Sequence, residues 1–352
     1  MAIVAKIVCS GVYVSGRKPQ AVLDTEIRLN DPGILRLVSA DVERSNRTVR
    51  SRFLGLGERV AVYRDGLGCT LALGVGAGEL AAHGLPRAWP RFRRRARRGR
   101  RARPAPPPAR PAALDGGRRR RARRGLRGAR SGGHAPHPRG GDSQDGRLVA
   151  ERYGPGFGQE SALTGWSMTK SVTNALVGVL VREGKLALDA PLRVPEWSAP
   201  HDSRHALTLR QLLHMSSGLA FTESYGNPLG DVIWMLFGTG DAAGFAARKP
   251  LAAPPGQKWS YSSGTTNIIA RALRGAVGGT EADYHLFPRR ALFEPLGHDQ
   301  RGDRAGRGGD LRGLVPDVRH RTGTGRASVS SSFRMERGRA SASSPKAGWP
   351  SA

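Results

Sequence analysis

Residues 165–171 read Gly-Trp-Ser-Met-Thr-Lys-Ser, and the apolar pattern directly after them decides the fold. Val172, Leu176, Val179 and Leu180 recur at helical spacing, so Ser167 opens an amphipathic helix that runs to about Arg182. On such a helix, side chains three apart share a face, with Cβ atoms about 5–6 Å apart. The amine of Lys170 therefore reaches the hydroxyl of Ser167 and can take its proton, as an acyl-transfer nucleophile requires. The helix N-terminus adds backbone N–H groups and a dipole that favour an oxyanion. The spacing alone is a weak pattern, since Ser15/Lys18 and Ser343/Lys346 share it with no helix behind them. The competing reading is a capping serine followed by a solvated lysine.

A second cluster lies downstream. Residues 254–264 read Pro-Pro-Gly-Gln-Lys-Trp-Ser-Tyr-Ser-Ser-Gly, a rigid turn and a polar run ahead of a helix over Thr265–Gly275. Tyr261 is a candidate second acid/base that passes a proton to a leaving group, and Ser263 faces the same site. Between the two clusters, residues 208–219 read Thr-Leu-Arg-Gln-Leu-Leu-His-Met-Ser-Ser-Gly-Leu, a short helix near Leu207–Met215 closed by a turn. A further helix is expected over Asp231–Phe237. An ordinary Gly/Ser turn with a structural tyrosine is the plain alternative for 254–264. The ordered series of elements is what stands against it.

That series, completed by Leu-Phe-Glu-Pro-Leu-Gly at 292–297, resembles the class C β-lactamase-like serine hydrolases. This superfamily includes penicillin-binding proteins, esterases and 6-aminohexanoate-dimer hydrolases. The Ser-Met-Thr-Lys-Ser and Tyr-Ser-Ser forms are most similar to the last group. The resemblance implies an α+β fold of β-lactamase/transpeptidase type. Its antiparallel sheet is flanked by helices, and 208–250 form a mostly helical subdomain. It implies Ser167 as the acylated nucleophile, Lys170 as base and Tyr261 as the second motif's tyrosine, with Tyr225 and Ser263 at the substrate. It implies a small-molecule amide or ester as substrate, with no metal or organic cofactor.

Two departures bear on activity. Ser263 stands where β-lactamases carry asparagine, which disfavours β-lactam turnover. The third motif of the superfamily, Lys- or His-Thr/Ser-Gly on a strand, belongs farther beyond Tyr261 than the 91 residues that come after it. Arg321-Thr322-Gly323 mimics that motif but comes too early, in a stretch without strand character. Both a working hydrolase and an inactive remnant remain open.

The formal charge of +29 invites a nucleic-acid or membrane-surface reading, so its location matters. Residues 1–86 carry +3, 87–140 carry +19, 141–298 carry +1 and 299–352 carry +6. Segment 87–140 holds 20 Arg against one acid, Asp115, and has no Val, Ile, Met or Tyr. It cannot bury enough apolar area to offset chain entropy and is expected to be disordered. The chain thus divides into N-terminal strands over 1–80, an Arg/Pro/Gly-rich segment over 81–142 expected to be disordered, a hydrolase core over 143–297, and an aberrant tail over 298–352 expected to be disordered as well. The Arg, Ala, Gly and Pro usage of 87–140 is that of GC-rich DNA read out of frame. Codons permitted for His298–Arg307 read, one base over, as Met-Thr-Ser-Ala-Val-Ile-Glu-Pro-Asp. Such a string continues Leu-Phe-Glu-Pro-Leu-Gly as these hydrolases do. Segments 81–142 and 298–352 are therefore expected to be frameshift products, with the true third motif lost. The rival from another class is a basic, non-catalytic nucleic-acid-binding protein that uses 87–140 as a non-specific polyanion arm.

The N-terminal region reads as short strands, among them Ile3–Val8, Gly11–Val14 and Arg59–Tyr63, and Asp145–Tyr153 reads as hairpin-like. Cys9 and Cys69 lack metal-ligand spacing and read as separate small buried hydrophobes, not a disulfide. His201 and His205 stand four apart without a third ligand. Residues 1–8 are too short, and broken by Lys6, to be a signal segment, and no run of about 18 apolar residues exists. As written, the chain is expected in the cytoplasm.

Overall fold

The structure is a computed structural model that describes residues 1–28, 33–82, 139–144, 147–154, 165–293 and 295–296. It divides into two units, residues 1–99 with 161–319 and residues 100–160 with 320–352.

The first unit begins with a helix. Ala2–Cys9 (α1) continues into a π-helical turn at Ser10–Val14, where strands were the expectation for Ile3–Val8 and Gly11–Val14. The correction has a simple cause: a short continuous apolar run fits a buried strand and a buried helix equally well. Here Val4, Ala5, Val8 and Cys9 fall on one helical face and are fully buried. Pro19–Val22 (α2) adds one further turn.

The face of α1 packs on an antiparallel meander of Val38–Glu43 (β1), Thr48–Phe53 (β2), Leu56–Arg64 (β3) and Gly68–Leu71 (β4), paired in chain order. The register sets Val42 opposite Val49, Val49 opposite Ala61, and Ala61 opposite Leu71. Because side chains alternate along a strand, this row lies on one face, and Val49, Ala61 and Leu71 are buried there with Val4, Val8 and Cys9. Ser51, on the same face, donates its hydroxyl to the Met1 carbonyl at 2.9 Å. Other strand residues form a ladder of exposed ion pairs, Arg50–Glu58 at 2.7 Å and Arg52–Asp41 at 3.3 Å. Exposed pairs of this kind add little stability. Cys9 and Cys69 form a disulfide with Cα atoms 6.0 Å apart, which corrects the reading of two separate hydrophobes. The docking of α1 against β4 brings the two sulfurs together, and their separation of 60 residues in sequence gives no sign of it.

Beyond Ala77–Ala82 (α3), the unit continues as helices. They are Met168–Arg182 (α4), Leu209–Leu213 (α5), Asp231–Phe237 (α6), Ala242–Ala247 (α7), Ser263–Val277 (α8) and Glu281–Pro288 (α9). Leu176 and Leu180 of α4, Leu209 and Leu212 of α5, Met235 of α6 and Ile269 of α8 share one core with Trp197 and Tyr284. The polar tips of both aromatics are satisfied inside it. Trp197 Nε1 donates to the Ala247 carbonyl at 2.8 Å, and the Tyr284 hydroxyl to that of Ala270 at 3.2 Å. The expected helices after Ser167, near Leu207, at Asp231 and after Thr265 correspond to α4, α5, α6 and α8. Sheet and helices together make a mixed α+β architecture.

The second unit contains a two-stranded antiparallel ladder of Arg139–Gln144 (β5) and Arg147–Tyr153 (β6), in register from Arg139↔Tyr153 to Gln144↔Arg147. Arg139–Asp142 belong to the segment expected to lack structure, as do Ala81 and Ala82 at the end of α3. The ladder corrects that expectation locally, because it is built from backbone N–H and C=O groups and needs no apolar side chains at Gly140 and Gly141. Residues 83–138 and 298–352, with Arg321-Thr322-Gly323 and the Ser343/Lys346 pair, lie outside the described residues.

Candidate active site

The chain enters α4 through Trp166, which adopts φ +46. Residues with a Cβ seldom occupy this left-handed region, and such backbones concentrate at functional sites. The turn spends the first amides of the helix: Met168 N–H donates to the Gly165 carbonyl at 3.0 Å and Thr169 N–H to that of Trp166 at 3.1 Å. Ser167 occupies the N-cap position, yet its hydroxyl makes no capping bond. A capping serine would ordinarily turn its oxygen to the N–H two or three residues on. Instead the Lys170 amine stands 3.4 Å from that hydroxyl.

Lys170 has two further neighbours from distant sequence. Its amine donates to the Ser263 hydroxyl at 3.0 Å and lies 4.5 Å from the centroid of the Tyr261 ring. The local reasons for this meeting are legible in the backbone. Ser262 caps α8 by accepting from Thr265 N–H at 3.0 Å, which leaves the side chain of its neighbour Ser263 to turn toward Lys170. Two adjacent serines thus have separate work. The approach to Tyr261 runs along the 215–218 turn, held by Ala252 N–H to the Gly218 carbonyl at 2.8 Å and Ser260 N–H to that of Met215 at 2.7 Å. Gly218, at φ +76, is required there, because a Cβ would lie 2.1 Å from the Ala253 carbonyl oxygen.

Tyr225 is half exposed, and its hydroxyl donates to Glu223 at 3.0 Å. Burial, first, and the charge of Glu223 push its pKa up to about 12. Glu223 is the residue the sequence did not single out. It accepts the Ser263 N–H at 2.7 Å on one oxygen and the Ser263 hydroxyl on the other. Large apolar surface surrounds these groups in sequence: Trp166 and Met168 flank Ser167, Trp259 precedes Tyr261, and all three are exposed. The Trp259 and Tyr261 rings are tilted with centroids 6.4 Å apart.

Ser167, Lys170, Tyr261 and Ser263 are therefore neighbours, and Tyr225 joins them through Glu223. A hydroxyl with an amine beside it, and a phenol at the same amine, is an arrangement able to attack a carbonyl and move the proton that results. Among the described residues, no group of three or more His, Cys, Asp and Glu is arranged to hold a metal ion. No helix among them is long and apolar enough to cross a membrane.

Residues 140–301 match the protein family described as Beta-lactamase. The solved structures similar to this chain include a putative 6-aminohexanoate-dimer hydrolase from Bacillus anthracis, at 19% identity and a TM-score of 0.40. That alignment covers 49% of this chain and 48% of the other, so the chain spans about half the length of the structure it matches. Comparison with curated proteins gave no match.

Proposed function

We propose, from the match of residues 140–301 to the family described as Beta-lactamase, that this chain is a serine hydrolase of amide or ester bonds. Ser167 Oγ attacks the carbonyl carbon while Lys170 takes the hydroxyl proton. The tetrahedral oxyanion collapses, and the leaving amine or alcohol departs with a proton delivered by way of Tyr261. The acyl group remains as an ester on Ser167 until water, activated by the same amine, releases the acid. Ser263 and Tyr225 bind substrate beside the amine. The observation that carries the reading is the uncapped Ser167 hydroxyl with the Lys170 amine 3.4 Å away.

The test is incubation with a fluorophosphonate probe followed by peptide mass mapping. A covalent adduct on Ser167, absent from Ser167→Ala, is the expected result. No adduct, or an adduct on another residue, overturns the assignment.

The 20 arginines of 87–140 favour a second reading, non-specific binding of polyanions through that segment. Deleting 87–140 then abolishes retention on heparin and leaves probe labelling at Ser167 unchanged.

A further inference from the structure

We infer that Glu223 is a positioning residue for the reaction, acting through Ser263 to keep the Lys170 amine aimed at Ser167; the inference rests on the hydrolase reading above.

Glu223 receives three donors. One oxygen accepts from the Ser263 hydroxyl and, at 3.0 Å, from the Tyr225 hydroxyl. The other accepts the Ser263 N–H at 2.7 Å. That amide belongs to the first turn of α8, where the helix dipole favours a carboxylate. Ser263 itself is buried, and its hydroxyl touches both Glu223 and the Lys170 amine at 3.0 Å. A hydroxyl has one proton to give. A carboxylate can only accept, so the Ser263 proton points at Glu223 and the Ser263 lone pairs are what Lys170 meets.

This polarity matters because of what the amine must do. To deprotonate Ser167, the nitrogen needs its lone pair free on the side of that hydroxyl. With Glu223 present, Ser263 cannot turn its proton onto that lone pair, and the amine donates to Ser263 while facing Ser167. Once the amine has become an ammonium, it finds an acceptor oxygen backed by a negative charge one hydroxyl away. The groups facing Lys170 are then the Ser263 hydroxyl, with the charged Glu223 behind it, and the neutral Tyr261 ring, while the neutral Tyr225 phenol sits on the same carboxylate.

Removing the carboxylate frees the Ser263 proton. A glutamine at 223 cannot accept from both the N–H and the O–H of Ser263, since one end of an amide is a donor. Misaiming a catalytic group in this way costs about 10- to 100-fold in rate.

The experiment is the rate of fluorophosphonate labelling of Ser167 in the full chain as a function of pH. It compares wild type, Glu223→Gln, Glu223→Asp, Ser263→Ala and Glu223→Gln with Ser263→Ala, each with its melting temperature. The expected result is slower labelling in Glu223→Gln by about tenfold or more, partial rescue in Glu223→Asp, and an acid limb displaced to lower pH. The double variant falls no further than Ser263→Ala alone, because Glu223 acts only through that hydroxyl. A labelling rate and pH profile in Glu223→Gln equal to those of wild type overturn this inference and leave the hydrolase reading standing. Losses that multiply in the double variant overturn it too. No labelling of wild type at Ser167 overturns the hydrolase reading and this inference together.

Discussion

The amine of Lys170 donates to the hydroxyl of Ser263 at 3.0 Å, a contact that spans 93 residues of sequence. It is shorter than the 3.4 Å separation of the same amine from Ser167, one helical turn away. The α8 serine thus fixes where the α4 lysine stands, and the nucleophile shares that lysine.

Lys170→Met tests the amine apart from the packing of its stem. Methionine keeps most of the aliphatic chain and removes the base. Labelling of Ser167 is expected to fall by about 100-fold or more. The melting temperature stays near the wild-type value, since Lys170 is only partly buried. Labelling kinetics and a thermal melt on the same samples decide it.

Gly264 comes next after Ser263 and lets α8 approach its neighbours closely. A Cβ there would lie 2.6 Å from the Phe221 ring and 3.0 Å from the Ala246 methyl. Gly264→Ala is expected to lower unfolding free energy by about 1–3 kcal/mol through overpacking. Chemical denaturation followed by far-UV circular dichroism measures the loss.

The site was legible in sequence wherever its signals are local. Ser167, Lys170, Tyr261 and Ser263 lie in two short runs marked by helix starts and turn glycines, and the structure brings them together. The apolar stripe of α4 was equally local. Glu223 gave no such sign. It is one acid in a loop, and it reaches Ser263 only through tertiary packing across 40 residues. The helical state of Ala2–Cys9 was hidden for another reason: Lys6 is the single polar position in its apolar run, and one such position reveals no period. The disulfide likewise depends on what each segment meets in space, as does β5, whereas β6 lies within the stretch read as hairpin-like.

Tyr225 offers a spectroscopic readout of the Glu223 contact. Its phenol ionises at about 12, raised by burial and by the adjacent carboxylate. In Glu223→Gln the ionisation is expected to move down toward the ordinary value of 10.0. Ultraviolet absorbance titrations, each referred to the matching Tyr225→Phe variant, isolate this one phenol. An unmoved ionisation shows that Glu223 does not bear on the ring.

His285 predicts an acid-side weakness. Its side chain is fully shielded, Nε2 lies 3.3 Å from Glu281, and Nδ1 has no hydrogen-bond partner among the described residues. Burial holds its pKa below the usual 6.5; Glu281 opposes the shift, while Arg64 and Arg274 reinforce it. A depressed folded-state pKa gives stability that is present above the unfolded value and lost as pH falls below it. Unfolding free energy is therefore expected to drop below pH 6.5, by up to about 1.4 kcal/mol per pH unit. His285→Leu removes that slope. Denaturant titrations at pH 7.5 and 5.5 on both proteins measure the difference.

The covalent tie from Cys9 to Cys69 turns the first part of the chain into a ring. Any single cut between those two positions leaves both ends attached, so a protease that nicks the ring releases nothing until a thiol is added. The same ring makes synthesis order matter. The opening helix can be locked in place only after the fourth strand has left the ribosome, and until then it holds its seat by noncovalent contact alone.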